Sequence, residues 1–201
     1  MKRAAEQSPE LACYLLVAAA TGARRSEVIA LRWSNINFAA AVVSIERGVV
    51  FGPDGLVEKD TKTHAARRVA LDAATLATLA AHRASMTARA EACGEELVTD
   101  AFVFSNSIDG SDCWFPDSVS RSFRRLCAKE GLRNVRLHDL RHFVATQLLG
   151  AGVDVRTVAG RLGHRNAATT LNVYAHFLEQ TDRTAADIIG RVIAGDPSGG
   201  S

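Results

Sequence analysis

VRLHDLRHFVATQLL, residues 135–149, reads as an amphipathic helix that carries two histidines and an arginine within five positions. Leu137, Leu140, Val144 and Leu148 recur at spacings of three and four, one apolar stripe at about 100° per residue, so this side of the helix faces a core. On the same wheel Arg141 falls at the rim of the stripe, His138 just beyond it and His142 further round. A guanidinium keeps its proton under ordinary conditions, so placing one where core meets solvent is costly unless an anion completes it. Taken alone, the stretch fits equally well a snorkelling arginine with two solvated histidines. The rest of the chain has to separate these readings.

The surrounding sequence is the most cationic part of the chain. From Arg121 to Ala168 there are ten Lys/Arg against three Asp/Glu, a local balance of +7 that leaves −5 elsewhere and +2 overall. Arg121, Arg124, Arg125 and Lys129 have the pattern of an ordinary solvated helix face, yet the polarity between segments suits a polyanion. With 201 residues, 47% hydrophobic and 23% charged, the chain holds apolar material for one substantial domain. Its longest apolar run, LACYLLVAAA, is about half the length needed to cross a bilayer. The opening MKRAAEQSPE lacks the layout of a signal peptide, so a cytoplasmic protein without a membrane partner is expected. Cys13, Cys93, Cys113 and Cys127 are widely spaced with no CxxC pair, which predicts reduced thiols and no structural zinc site.

Local signals place the elements. Ser8-Pro9-Glu10 starts a helix that runs to about Ala20 before Thr21-Gly22 stops it. RRSEVIALRW follows as a second helix with Val28, Leu31 and Ile29 inward. AVVSIERGVV, the turn FGPDG and the alternating end of TKTHAARRVAL predict a small antiparallel sheet over 41–71. DAATLATLAAHRASMTARAEA is a periodic helix, AFVFS a short strand or extended piece, NSIDGSDCWF a loop, and PDSVSRSFRRLCAKEG a helix that opens on Pro and closes on Gly. After 135–149 come a short helix at DVRTVAGRLG, another ending near Tyr174, and a terminal one to about Val192. The expected fold is mainly α with a small antiparallel β-sheet: one domain over 1–194 and a flexible tail, 195–201.

Four separated stretches carry the chemistry: TGARRSEVIALRW, DTKTHAARRVAL, LHDLRH and GRLGHRNAATTLNVYAH. Together, and in this order, they resemble the catalytic domain of the tyrosine recombinases, the family of phage integrases and chromosome-dimer resolvases. The resemblance covers nearly the whole chain. It implies that Arg24 of TG-x-R-x-x-E is the first active-site arginine with Glu27 as its support, and that Lys62 of TKT is the lysine on a turn between strands. His138 and Arg141 fill H-x-x-R, His164 ends LGH, and Tyr174 follows ten residues later. His142 would support the site, and His176 would either do likewise or only mark a helix. Tyr14 lies in the apolar run and reads as core, which leaves Tyr174 as nucleophile; His64 and His82 read as surface groups.

What the resemblance implies is transesterification of double-stranded DNA. Tyr174 would attack the scissile phosphate and leave a 3′-phosphotyrosine and a free 5′-hydroxyl, with no ATP, metal or other cofactor. Two arginine forks, Arg24 and Arg141, can hold the non-bridging oxygens as their charge grows. A tyrosine of pKa about 10 is ionised in roughly one molecule per thousand at neutral pH. Cations would favour its phenolate, and a neutral His138 would take the proton. Lys62 would protonate the leaving oxygen, and His164 would donate a hydrogen bond to the phosphate.

The chain departs from the family pattern at Phe143, where many relatives have a small hydroxyl residue, and at Ala159, where serine is common. By the resemblance, the N-terminal core-binding domain of full-length members is expected to be missing from this stretch. Weak, salt-sensitive DNA binding is the expectation for half a clamp. The terminal helix, with Ile188, Ile189 and Val192, is expected to pack in cis in an isolated monomer and to exchange in a DNA-bound homo-tetramer. Two other readings compete: a non-catalytic DNA-binding fragment of the same fold, and a zinc-dependent hydrolase using His138 and His142, because HDLRH resembles HExxH. Asp139 is a methylene shorter than the required Glu, and zinc would leave Arg24, Lys62 and Tyr174 without a task.

Overall fold

The computed structural model describes residues 8–53, 55–60 and 66–164, together with the single positions 4, 6, 186 and 189. Helix α1 is Pro9–Thr21, begun by Ser8, whose Oγ accepts from Leu11 N at 3.2 Å, and ended by Gly22 at φ +62°. Leu11, Cys13, Tyr14, Leu15 and Val17 are all buried, so this helix runs through the core with little free face. Tyr14 is a core residue, as expected: it is 0% exposed and its ring meets Phe104 edge-on at 5.2 Å and stacks on Trp114 at 5.9 Å.

Helix α2, Arg25–Ile29, is shorter than the sequence suggests. Val28, Ile29 and Leu31 do point inward, but beyond Ala30 the backbone pairs with another segment instead of continuing the helix. Val103 N donates to Leu31 O at 2.8 Å and Trp33 N to Ala101 O at 3.1 Å. Residues 101–105, expected as a short strand or extended piece, are the latter: buried and extended, with the isolated bridges Arg32↔Phe102 and Ser105↔Cys113.

The predicted antiparallel sheet is present as two. Strands β1 (Ile36–Asn37), β2 (Val42–Ile45) and β5 (Arg67–Ala70) form a three-stranded sheet in the order β1-β2-β5, with Val43 opposite both Ile36 and Val69. Strands β3 (Arg47–Gly52) and β4 (Gly55–Asp60) form a separate hairpin that turns at FGPDG.

Helix α3, Ala73–Ala92, is capped by Asp72, which accepts from Ala74 N and Thr75 N at 3.0 Å each. It buries Thr75, Leu79, His82, Met86 and Ala90. His82, expected at the surface, is therefore a correction: it belongs to the inward stripe and is 9% exposed. Its ring stacks on Phe104 at 5.4 Å, and Nε2 lies 2.7 Å from Val103 O. Burial outweighs that carbonyl and holds its pKa below the ordinary imidazole value, so a neutral ring donates Nε2–H.

Helix α4 is Pro116–Lys129, α5 Asp139–Gly150 and α6 Val155–Leu162, the last capped by Asp154 and ended by Gly163 at φ +70°. The helix expected over 135–149 thus begins at Asp139, whose carboxylate accepts from Arg136 N at 2.8 Å and turns the preceding residues away. Its buried line is also displaced. Arg141, Ala145 and Leu149 are buried, whereas Leu137, Leu140, Val144 and Leu148 are half-buried on either side. The reason is that this region serves two cores: Leu137 and Leu140 pack on the main one, and Val144 and Leu148 on a smaller one of Ala145, Leu149, Val158 and Leu162. Arg141 lies in the seam, 5% exposed, not at a solvent rim.

Cys13, Cys113 and Cys127 are buried, Cys93 is exposed, and all four are free thiols. No helix among the described residues is long and apolar enough to cross a membrane. Tyr174, His176, His64, Lys62, the tail and the terminal helix apart from positions 186 and 189 lie outside the described residues. Phe104 touches Tyr14, His82 and Trp114. Phe104→Ala should lower unfolding stability by about 3–5 kcal/mol, read as a lower urea midpoint at unchanged slope.

Candidate active site

The turn from α1 to α2 places Arg24 at the N-cap position of α2. Glu27, one turn on, folds back: its Oε2 accepts from Arg24 N at 2.8 Å and its Oε1 from Arg24 Nη1 at 2.8 Å. The same carboxylate receives Arg67 from β5, Nη2 to Oε2 at 2.6 Å and Nη1 to Oε1 at 3.3 Å. Burial alone would raise the Glu27 pKa, but the bonds and charge of Arg67, then those of Arg24, outweigh it and hold the carboxyl below its usual range. Arg24 keeps a 45% exposed side chain, and its Nη2 reaches Gly163 O at 3.3 Å.

Arg141 is held differently. Its Nη1 donates to Gly22 O at 2.6 Å, at the C-terminal end of α1, while its Nη2 is buried with no hydrogen-bond partner among the described residues. Arg161 Nη2 donates to Ala20 O at 2.6 Å in the same helix end. Burial, with repulsion from Arg24 and Arg67 only partly offset by Glu27, lowers the Arg141 pKa to about 10. The group stays charged at neutral pH, in a position that an anion would relieve.

His164 follows Gly163 at the end of α6. Burial, reinforced by Arg141 and Arg24, lowers its pKa to about 4, so the ring is neutral at ordinary pH. His138 precedes α5 and meets His142 edge-on with centroids 4.8 Å apart; desolvation, His142 and Arg141 lower its pKa too. Arg24, His138 and Arg141 line one cavity of about 560 Å³, with Arg25, Arg124 and Arg136 also in its wall and no carboxylate among the described residues. Among the described residues no three His, Cys, Asp or Glu side chains are placed to hold a metal ion. The zinc reading of His138 and His142 is not favoured.

The structure therefore brings together Arg24, Glu27, His138, Arg141, His142 and His164, whereas Lys62 and Tyr174 fall outside the described residues. Arg67 was not anticipated. Its signal was present in the alternation of RRVAL, which puts Arg67 on the same face as the buried Val69; a guanidinium on an inward strand position requires an acid.

Residues 1–181 match the phage integrase family. The chain belongs to that family. A tyrosine recombinase XerC-like protein of Caldanaerobacter subterraneus subsp. tengcongensis is 25% identical over 196 residues, covering 89% of this chain and 49% of that protein. The ICEBs1 integrase of Bacillus subtilis is 27% identical over 175 residues, covering 87% and 47% respectively. The Tn1549 transposon integrase, solved in complex with circular intermediate DNA, shares the fold with a TM-score of 0.74 at 18% identity, covering 92% of this chain and 65% of that one. This phage integrase family chain spans about half the length of the two sequence relatives, and the mainly α fold with small antiparallel sheets is as expected.

Within this family member the Glu27 side chain is 4% exposed and that of Arg67 9%. Glu27→Gln leaves a buried guanidinium opposite a neutral amide and should cost about 3 kcal/mol or more in urea unfolding at neutral pH. Because the folded carboxyl titrates below its unfolded value of about 4.3, its contribution is present above that pH and is lost as pH falls through the folded pKa. The stability gap between wild type and Glu27→Gln should accordingly narrow in acid.

Proposed function

We propose that this chain is the catalytic domain of a site-specific DNA recombinase or integrase, spanning 1–194 with 195–201 as a tail, that cuts and rejoins double-stranded DNA through a 3′-phosphotyrosine. The observation that carries the reading is the buried Arg141 guanidinium, with one unpartnered nitrogen, in a cavity whose lining among the described residues includes Arg24, Arg25, Arg124 and Arg136 and no carboxylate. A phosphodiester is the anion such a wall fits, and a two-armed fork can grip two of its oxygens.

The charge balance supports the same chemistry. Arg24, Arg67 and Arg141 face one carboxylate, Glu27, an excess of two positive charges. A phosphodiester under attack by a phenolate carries two negative charges. In the proposed step the Tyr174 oxygen bonds to phosphorus as the P–O5′ bond breaks. The phenolic proton passes to the neutral His138, and Lys62 protonates the departing 5′-oxygen. Arg24 and Arg141 hold the non-bridging oxygens, and His164, neutral at ordinary pH, donates its remaining N–H to one of them. Rejoining reverses each transfer, so the bond energy is kept without ATP. Lys62 and Tyr174 enter through the motif match, and His142 through its contact with His138. A cytoplasmic monomer that assembles as a homo-tetramer on DNA completes the reading.

A nicked suicide duplex bearing the cognate site, analysed by denaturing electrophoresis, tests it. Wild type should form a covalent protein–DNA adduct and Tyr174→Phe none. Arg24→Ala and Arg141→Ala should each slow adduct formation by about a hundredfold or more, the loss seen when comparable oxyanion donors are removed. Normal cleavage by both would refute the clamp, and binding without any adduct would favour a non-catalytic DNA-binding fragment. Since His138 must be unprotonated, the rate should fall only below the ordinary imidazole pKa of about 6.5, in the direction in which its surroundings shift it.

A further inference from the structure

Arg67 joins two separate parts of the chain that the proposed reaction needs in register, the start of α2 and the end of α6. Its forked guanidinium grips Glu27 through both terminal nitrogens, while Nε donates to Arg161 O at 2.9 Å. The group lies against the backbone just before His164: a Cβ built on Gly163 would stand 2.7 Å from Arg67 Nη1 and 3.0 Å from Cζ. From its other side the same stretch is held by Arg24, whose Nη2 reaches Gly163 O. The contacts close a ring. Arg24 bonds Glu27, Glu27 bonds Arg67, Arg67 bonds the end of α6, and that end bonds Arg24.

We propose that Arg67 is a positioning residue: without touching the phosphate, it sets Arg24 and His164 at a fixed separation and thereby sets the rate of strand cleavage. The effect on rate rests on the recombinase reading above. A lysine cannot replace it, because an ammonium is a point charge on a flexible stem and lacks the planar fork that engages a carboxylate with two nitrogens while the third meets a carbonyl. The ring is also why Gly163 must be glycine. Its φ of +70° and the overlying guanidinium leave no place for a side chain.

The test compares Arg67→Lys, Arg24→Ala, the double variant and Phe104→Leu, the last a core change that lowers stability away from the ring. Single-turnover adduct formation on the suicide duplex is measured with duplex affinity, and the His164 ring is titrated by NMR in DNA-free protein. Arg67→Lys should slow adduct formation by about tenfold or more with affinity unchanged, since sub-ångström misplacement of catalytic groups costs rate rather than binding. The double variant should be scarcely slower than Arg24→Ala, because the two changes break one device. Phe104→Leu should cleave at the wild-type rate. In Arg67→Lys the His164 ring, released toward water, should titrate about one pH unit above its wild-type value of about 4.

Multiplicative losses in the double variant, an equal loss in Phe104→Leu, or a wild-type rate in Arg67→Lys with an unmoved His164 titration would each overturn the proposal. If wild type forms no adduct, the cleavage reading fails. The His164 titration then decides by itself whether Arg67 fixes the site.

Discussion

A single carboxylate, that of Glu27, receives the Arg24 backbone N–H, the Arg24 guanidinium and the Arg67 guanidinium. Three segments distant in sequence, the α1–α2 turn, β5 and the end of α6, meet around it. Such a buried cluster adds little net stability, because desolvating the charges offsets most of their attraction. Its value is geometric. Four acceptor directions in one rigid plane fix two guanidiniums relative to each other, which an apolar contact of the same size would not do.

The two candidate clamp arginines are anchored by different acceptors, and the difference has an electrostatic meaning. Arg24 shares a full negative charge with Arg67, whereas Arg141 is oriented by a backbone carbonyl at the end of α1. The C-terminus of a helix carries roughly half a negative charge spread over its last carbonyls. That suffices to aim a guanidinium but not to neutralise it. A carboxylate in place of Gly22 O would hold Arg141 as firmly and cancel the charge that an incoming anion needs. Ala20 O, two residues earlier, is meanwhile occupied by Arg161, so the helix end serves two arginines without cancelling either.

Much of this was readable in the sequence because it is local. The Ser8, Asp72 and Asp154 caps, the Gly22 stop and the FGPDG hairpin follow from neighbours three or four residues away. Three of the four motif stretches supply Arg24, His138, Arg141 and His164, which the described residues bring together, while Lys62 and Tyr174 lie outside them; a family pattern can point to such convergence where no short window can. What was misread is what tertiary contact decides. The early end of α2 depends on pairing with residues 101–103, and the burial of His82 on Phe104 and Trp33. The seam position of Arg141 depends on a second cluster that helical periodicity cannot distinguish from the first. The alternation that marks Arg67 as inward is faint in the sequence, because a strand only four residues long repeats it too few times.

The two cores and the site are not independent. A Cβ on Gly22 would stand 2.3 Å from Leu162 Cδ2, so that glycine lets the end of α1 approach the smaller cluster directly. Its φ of +62° already favours glycine, yet a residue tolerant of that conformation, such as asparagine, would still push Leu162 outward. Leu162 is one position before Gly163 and two before His164, and Gly22 O is the acceptor that orients Arg141. One missing methyl therefore sets three things together: the turn that presents Arg24, the carbonyl that aims Arg141, and the depth at which α6 seats His164. The glycine of TG-x-R is thus a packing requirement between two hydrophobic clusters as much as a turn residue, and the distance between those clusters becomes part of the geometry of the site.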